Sequence, residues 1–161
     1  MSLKIRGLKQ FMKQVEKAAD GGLKREFGSW LEGLGMDFLG LIQDEIIRTE
    51  TVDTRRLLNS FNRGDSEGIW SINKGGLTLE IGTRLTYASY ANDGHFQRKR
   101  FVPGYWRGDR FVYEPGASTG MMLREKWVEG SHYWDNALAI FERIFQRSLE
   151  RRMQRWLDTE F

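Results

Sequence analysis

A change of hydrophobic period constrains this chain more than any other feature. Apolar residues recur at steps of three and four through Phe27, Trp30, Leu31, Leu34, Phe38, Leu41, Ile42 and Ile46. They do so again through Trp134, Leu138, Phe141, Phe145, Leu149 and Trp156. That is the stripe of a helix with one buried face. The first such segment, Leu23 to Arg48, would extend roughly 39 Å at about 1.5 Å per residue. Between the two lies a stretch with a period of two, clearest in Leu77-Thr78-Leu79-Glu80-Ile81, which suits a half-buried strand. Strand-like pieces are expected at Leu58–Arg63, Gly68–Asn73 and Leu77–Gly82, with turns at Gly64-Asp65 and Lys74-Gly75-Gly76. Connections this short exclude crossover helices and so exclude a parallel sheet. The expected fold class is therefore α+β. An antiparallel sheet of three or four strands, between residues 58 and 92, is covered by helices 23–48 and 132–157.

Other segments fill in the order. Leu3, Leu8, Phe11, Met12, Val15 and Ala19 fit an amphipathic helix over residues 3–18, ending at Asp20-Gly21-Gly22. Within the long helix Gly28, Gly33, Gly35 and Gly40 each cost about 1 kcal/mol against alanine, a cost that close packing would offset. Asp53 or Thr54 is a candidate cap for a short helical turn docked by Leu57, Leu58 and Phe61. From Gly82 to His95 the strand pattern runs into Tyr87 and Tyr90 and then the reversal Asn92-Asp93-Gly94, where a sheet meets something else. The final helix begins near Ser131, a plausible N-cap. Its Arg143, Arg147, Arg151 and Arg155 recur every fourth residue, with Glu142 and Glu150 interleaved, as on a solvated, ion-paired face.

Residues 96–126 break both periods. The cations Arg98, Lys99 and Arg100 precede Phe101-Val102-Pro103-Gly104-Tyr105-Trp106, and Arg107-Gly108-Asp109 leads into Arg110-Phe111-Val112-Tyr113. Two aromatic arms around a Gly-Asp turn read as a projecting hairpin. Arg98, Lys99, Arg100, Tyr105, Trp106, Arg107, Arg110, Phe111 and Tyr113 are the candidate partner-contact residues, since Arg, Tyr and Trp are the types that most often carry interface energy. The alternative is a nucleic-acid-binding module using the basic aromatic arm 98–113 through phosphates and stacking. Protein contact ranks first, because a net charge of +3 over 161 residues is a weak argument for nucleic acid.

Catalytic chemistries find little here. The absence of cysteine removes thiolate metal sites, thiol catalysis and disulfides. Asp93 with His95, and His132 with Asp135, are too few to converge as a hydrolytic metal site. No nucleophile-elbow pattern accompanies Ser89 or Ser131. Lys74-Gly75-Gly76 lacks the Lys-Ser/Thr end of a phosphate loop. Arg107-Gly108-Asp109 matches the integrin-binding tripeptide, but reads as a hairpin turn. No cofactor, no metal and no catalytic residue are expected. No run of about 18 apolar residues suggests a membrane span, and the basic N-terminus is not a secretory signal.

Several motifs occur together in one order: Val52-Asp53-Thr54, Arg56-Leu57, Ser60-Phe61, Ile81-Gly82-Thr83 and Tyr87-Ala88-Ser89-Tyr90-Ala91-Asn92-Asp93-Gly94-His95. Phe101–Trp106 and the amphipathic Phe141-to-Leu157 helix follow them. This set resembles phage minor tail components, the tail-completion or neck proteins related to minor tail protein Z of lambda-like phages. The later motifs resemble the version carried by phages and defective prophages of Gram-positive bacteria. Arg55 stands where that family commonly carries glycine. The resemblance covers about residues 50–160. It implies a non-enzymatic structural protein of the virion tail or neck, assembled in the bacterial host cytoplasm. It also implies a ring-forming homo-oligomer in contact with other phage tail and head-completion proteins, around a path for DNA. The chain is expected to be a single tail-component domain over 1–161, with a helical part at 1–49, the sheet at 50–95, the hairpin arm at 96–126 and the C-terminal helix at 131–158. Alanine at His95 and His132, singly or together, is expected to remove no catalytic activity. A hydrolase or nuclease activity lost on either change, with the fold intact by circular dichroism, would contradict this.

Overall fold

The computed structural model describes residues 1–9, 22–51, 55–75 and 77–160. In chain order the elements are β1 (Ser2–Ile5), α1 (Gly22–Arg48), α2 (Arg56–Asn59), β2 (Gly68–Asn73) and β3 (Thr78–Thr83). Then follow α3 (Ala88–Asp93), β4 (Gly94–Gln97), β5 (Arg100–Arg107), β6 (Arg110–Tyr113), β7 (Gly120–Leu123), β8 (Lys126–Glu129) and α4 (Tyr133–Glu160). The fold is α+β with antiparallel strands throughout. The body is a three-stranded sheet in the order β1-β3-β2, with α1 against it, α4 packed along α1, and one shared hydrophobic core.

The helical periods translate directly into burial. Phe27, Leu31, Phe38, Ile42 and Ile46 of α1 are fully buried, and on α4 Trp134, Phe141 and Trp156 are buried. Phe38 holds the two helices together, edge-on to Trp134 at 5.4 Å and tilted on Phe141 at 4.8 Å. Each such ring contributes about 2–3 kcal/mol by leaving water. Trp30 lies 5.6 Å from Phe145, and its indole N–H donates to Ser148 Oγ at 2.7 Å. Gly35 explains one of the helix glycines: a Cβ there would stand 2.7 Å from the Trp70 ring and 3.0 Å from Leu79. Its absence lets the sheet lie against α1. Glu32 ties the same helix to the β2–β3 turn through Lys74 at 2.6 Å and to Arg63 at 3.0 Å. Lys74 first, then Arg63, holds that carboxyl below its ordinary value. At the other end Arg48 lies 2.6 Å from Glu45 and lowers its carboxyl, helped by Asn136 of α4.

Three local expectations are corrected. Residues 2–5 form a strand, where a helix over 3–18 was expected. Ser2 to Ile5 pair with Gly82 to Leu79, so Leu3 and Ile5 pack on the core as alternate residues of a sheet edge. The remainder of that segment, from residue 10 to 18, lies outside the described residues, as does the cap expected at Asp53 or Thr54. Residues 58–63 are not a strand: Arg56–Asn59 is a helical turn, and the third sheet strand is β1. Leu57 and Phe61, four apart, are both buried on the same side of that turn. Finally, Arg143, Arg147, Arg151 and Arg155 are exposed but make no ion pair among the described residues; the cross-helix pair is Arg152 with Glu26, at 2.7 Å.

Arg55 opens α2 with φ 57, in the left-handed region. A side chain there costs roughly 1–2 kcal/mol, which glycine avoids. Glycine at this position would fit this backbone without strain. Arg55→Gly is accordingly expected to raise stability by about 0.5 kcal/mol after its larger unfolded-state entropy is deducted, whereas Arg55→Ala should not. Urea midpoints of the two variants check it, and equal effects from both would refute the backbone argument.

Candidate contact surface: the arm and its root

From Gly94 the chain leaves the body and returns at Glu129. The outgoing limb, β4 and β5, pairs in turn with β8, β7 and β6, from Gly94 opposite Glu129 to Arg107 opposite Arg110. At about 3.3 Å per residue such a ribbon is roughly 45 Å long. No arm residue belongs to the hydrophobic core. The hairpin expected at 96–126 thus starts two residues earlier and ends three later. Its returning limb is broken by the loop 114–119, which is held by Thr119 Oγ1 donating to the Gly104 carbonyl at 2.9 Å.

Alternate residues divide the distal ribbon into two faces. One carries Trp106 with Phe111 opposite and Tyr113 beside them; the other carries Phe101 with Met122 opposite, then Tyr105, Arg107 and Arg110. Both are exposed. Trp106 is 59 % and Tyr113 62 % accessible on the first, Phe101 50 % and Met122 55 % on the second. A protein surface rarely leaves apolar groups open on both sides of one element, and such patches mark interaction sites. The ribbon keeps its shape through internal contacts. Trp106 and Phe111 meet edge to face at 5.3 Å. The Phe111 ring lies across Gly104, where a Cβ would approach it to 2.8 Å, and the Phe101 ring lies across Gly120 at 2.6 Å. Each glycine is the diagonal cross-strand neighbour of its aromatic partner.

Of the sequence-derived contact residues, the structure gathers Tyr105, Trp106, Arg107, Arg110, Phe111 and Tyr113 at the distal end. Arg98, Lys99 and Arg100 stand apart, at the junction of β4 and β5, all exposed. Arg107 and Arg110 face each other directly across the strands, an arrangement of like charges that is unfavourable unless an anionic surface is near. None of these five cations has an ion pair among the described residues. Phe96, Trp127, Phe101 and Met122 extend the patch and were missed. Phe96 and Trp127 are cross-strand partners, both more than half exposed. Their pairing is invisible until the two limbs are in register.

The root is built around Asn92, a residue expected only to turn the chain. Its side chain is buried. Its Oδ1 accepts the Trp134 backbone N–H at 2.9 Å, and its Nδ2 donates to Asp93 at 2.7 Å and to Asp135 at 3.0 Å. Its carbonyl accepts the His132 N–H at 3.0 Å. Asn92 therefore caps α4 from 42 residues away. The expected cap, Ser131, instead donates its hydroxyl to the Ala91 carbonyl at 3.0 Å. Tyr133 completes the joint by donating to the Ala88 carbonyl at 3.1 Å, and burial pushes its phenol above the ordinary value. His132, at φ 54, lies 3.3 Å from Asp135. Among the described residues no group of three or more His, Asp or Glu could hold a metal ion, and no helix is long and apolar enough to cross a membrane.

Residues 9–94 match the family described as "Bacteriophage HK97-gp10, putative tail-component". The chain belongs to the HK97-gp10-like family. Two relatives in Bacillus subtilis (strain 168) span nearly its whole length. YqbI is 56 % identical, over 99 % of this chain and 100 % of its own. The phage-like element PBSX protein XkdI is 49 % identical, over 96 % and 98 %. No solved structure is significantly similar. Family membership and the likeness to a phage-like element protein support a structural role in a phage tail. The family match ends at Gly94, where the arm leaves the body.

If Asn92 is the cap, Asn92→Ala should cost about 2 kcal/mol, because it uncaps α4 and leaves buried polar groups without partners. Ser131→Ala should cost well under 1 kcal/mol, since the Ala91 carbonyl keeps the Ser131 N–H. Chemical denaturation of both variants decides; a costlier Ser131 change would reverse the assignment.

Proposed function

We propose that this tail component is a tail-completion or neck protein, which finishes the tail end and joins it to the head by protein–protein contact, without catalysis. The observation that carries the reading is an arm rooted on α4 and apolar on both faces, with none of its residues in the core. Two-stranded ribbons are marginally stable alone in water, so one that exposes this many aromatic groups gains most when partners cover it. Tyr and Trp lose little entropy on docking for the area they bury, and with Arg they dominate binding energy. The protein's partners are other tail proteins and head-completion proteins, and copies of the chain form a ring around the DNA path. The whole of 1–161 acts as one tail-component unit, assembled in the host cytoplasm. Kinship to minor tail protein Z of lambda-like phages is the narrower form of this proposal and rests on the ordered motifs from Val52 to His95.

Deleting Pro103–Val112 tests the reading. The trimmed protein should melt nearly as the parent does, because the deletion removes no core residue, and it should fail to join tails to heads in an assembly assay. Loss of the fold, or intact joining, would overturn the proposal.

A further inference from the structure

The arm's cationic face has a counterpart on the same chain that it does not touch. The outward side of α1 carries Gly33, Met36, Asp37, Gly40, Asp44 and Ile47, which fall on one stripe at helical spacing. Met36 is 46 % and Ile47 57 % exposed. Asp37 and Asp44 are exposed and make no ion pair among the described residues, whereas the basic Arg48 at the stripe's end is already tied to Glu45 at 2.6 Å. The stripe is acidic and apolar; the arm face of Phe101, Met122, Tyr105, Arg107 and Arg110 is basic and apolar. Their lengths agree: Gly33 to Ile47 spans about 21 Å of helix, and Phe101 to Arg107 about 20 Å of strand. Glycine is unfavourable inside a helix. Gly28 and Gly35 lie against Lys74 and Trp70, but Gly33 and Gly40 have nothing within 4 Å among the described residues.

We infer that the Phe101–Arg107/Arg110 face of the arm docks on the outward face of α1 in a second copy of this chain, with Arg107 and Arg110 meeting Asp37 and Asp44. Two different patches of one chain that complement each other without touching give a head-to-tail contact, which closes into a ring or grows as a filament. The like-charged tips disfavour pairing of arm with arm, so the acidic stripe is the better receiver. The inference rests on the proposed role of the arm as a contact surface and names what it contacts.

The test uses the full-length chain and charge reversal at exposed positions. Sedimentation velocity of the parent should show self-association that rises with concentration. Arg107→Asp with Arg110→Asp should weaken it about tenfold or more, as should Asp37→Arg with Asp44→Arg. Mixing the two reversed proteins, or combining all four changes, should restore it. Gly40→Gln supplies a second readout with opposite signs: the melting temperature should rise through better helix propensity, while association falls because the face is obstructed. A monomeric parent overturns the inference, as does failure of the combined reversal to restore association, or a Gly40→Gln protein that melts higher and associates normally. If the arm reversal abolishes salt-dependent binding to duplex DNA and leaves self-association unchanged, the arm is a nucleic-acid element and the inference fails. Should tail joining need Pro103–Val112 while association ignores every reversal, the contact role of the arm stands and this receiver is wrong. Intact tail joining after the deletion removes the contact role itself.

Discussion

The satisfaction of one buried amide fixes how the arm stands on the body. Asn92 comes at the end of α3, where the outgoing limb starts; its side chain donates once to its neighbour Asp93, and donates to Asp135 and accepts from the Trp134 N–H in the first turn of α4, where the returning limb ends. A free helix N-terminus leaves its first N–H groups unbonded. Here a distant side chain fills that need, so the helix start and the arm root cannot move independently without exposing buried polar atoms. The two Ser131 bonds to the Ala91 carbonyl and the Tyr133 bond to Ala88 close the same joint from either side. Since α4 is in turn locked to α1 through Phe38, Trp134 and Phe141, a push on the ribbon is transmitted to the packed core.

The ribbon itself obeys a different economy. It has no core of its own, and its order comes from cross-strand contacts: rings lying over glycines, one edge-to-face aromatic pair and a hydroxyl latch on its interrupting loop. These hold a shape while leaving the outer surface of each ring open. Rigid aromatic groups on a stiff support are pre-organised for binding, which limits the entropy lost on contact. The body contributes the complementary property. Its long helix buries one face completely and leaves the other free, with glycines of two kinds on the same element: one kind under the sheet, the other facing open space.

Much of this was readable from residue order. The stripes of α1 and α4 were legible because helical burial repeats within a few residues and needs no knowledge of the partner. Strands β2 and β3 were legible for the same reason, at a period of two, and the Gly108-Asp109 reversal was marked by its turn residues. Arg55 stands where the resemblance leads one to expect glycine, and its left-handed backbone is one that glycine adopts without strain. By contrast β1 offers only four residues, too few to establish a period against the apolar positions that follow it. The turn at 56–61 shows Leu57 and Phe61 four apart, a helical interval that the neighbouring strand signals obscured.

What the sequence determined by itself was therefore local: which segments are helices, which alternate, where the chain reverses, and that residues 96–126 carry cations and aromatic rings in excess of any core's need. What only the tertiary structure decided was non-local. Gly82 meets Ser2 at a separation of 80 residues, Asn92 caps a helix whose first turn is 42 residues onward, and Phe96 finds Trp127 across the base of the arm. Periodicity reports the environment of a residue through its near neighbours. A strand's edge partner, a helix cap supplied in three dimensions and the face a ring presents to solvent depend on loop closures whose lengths leave no periodic trace.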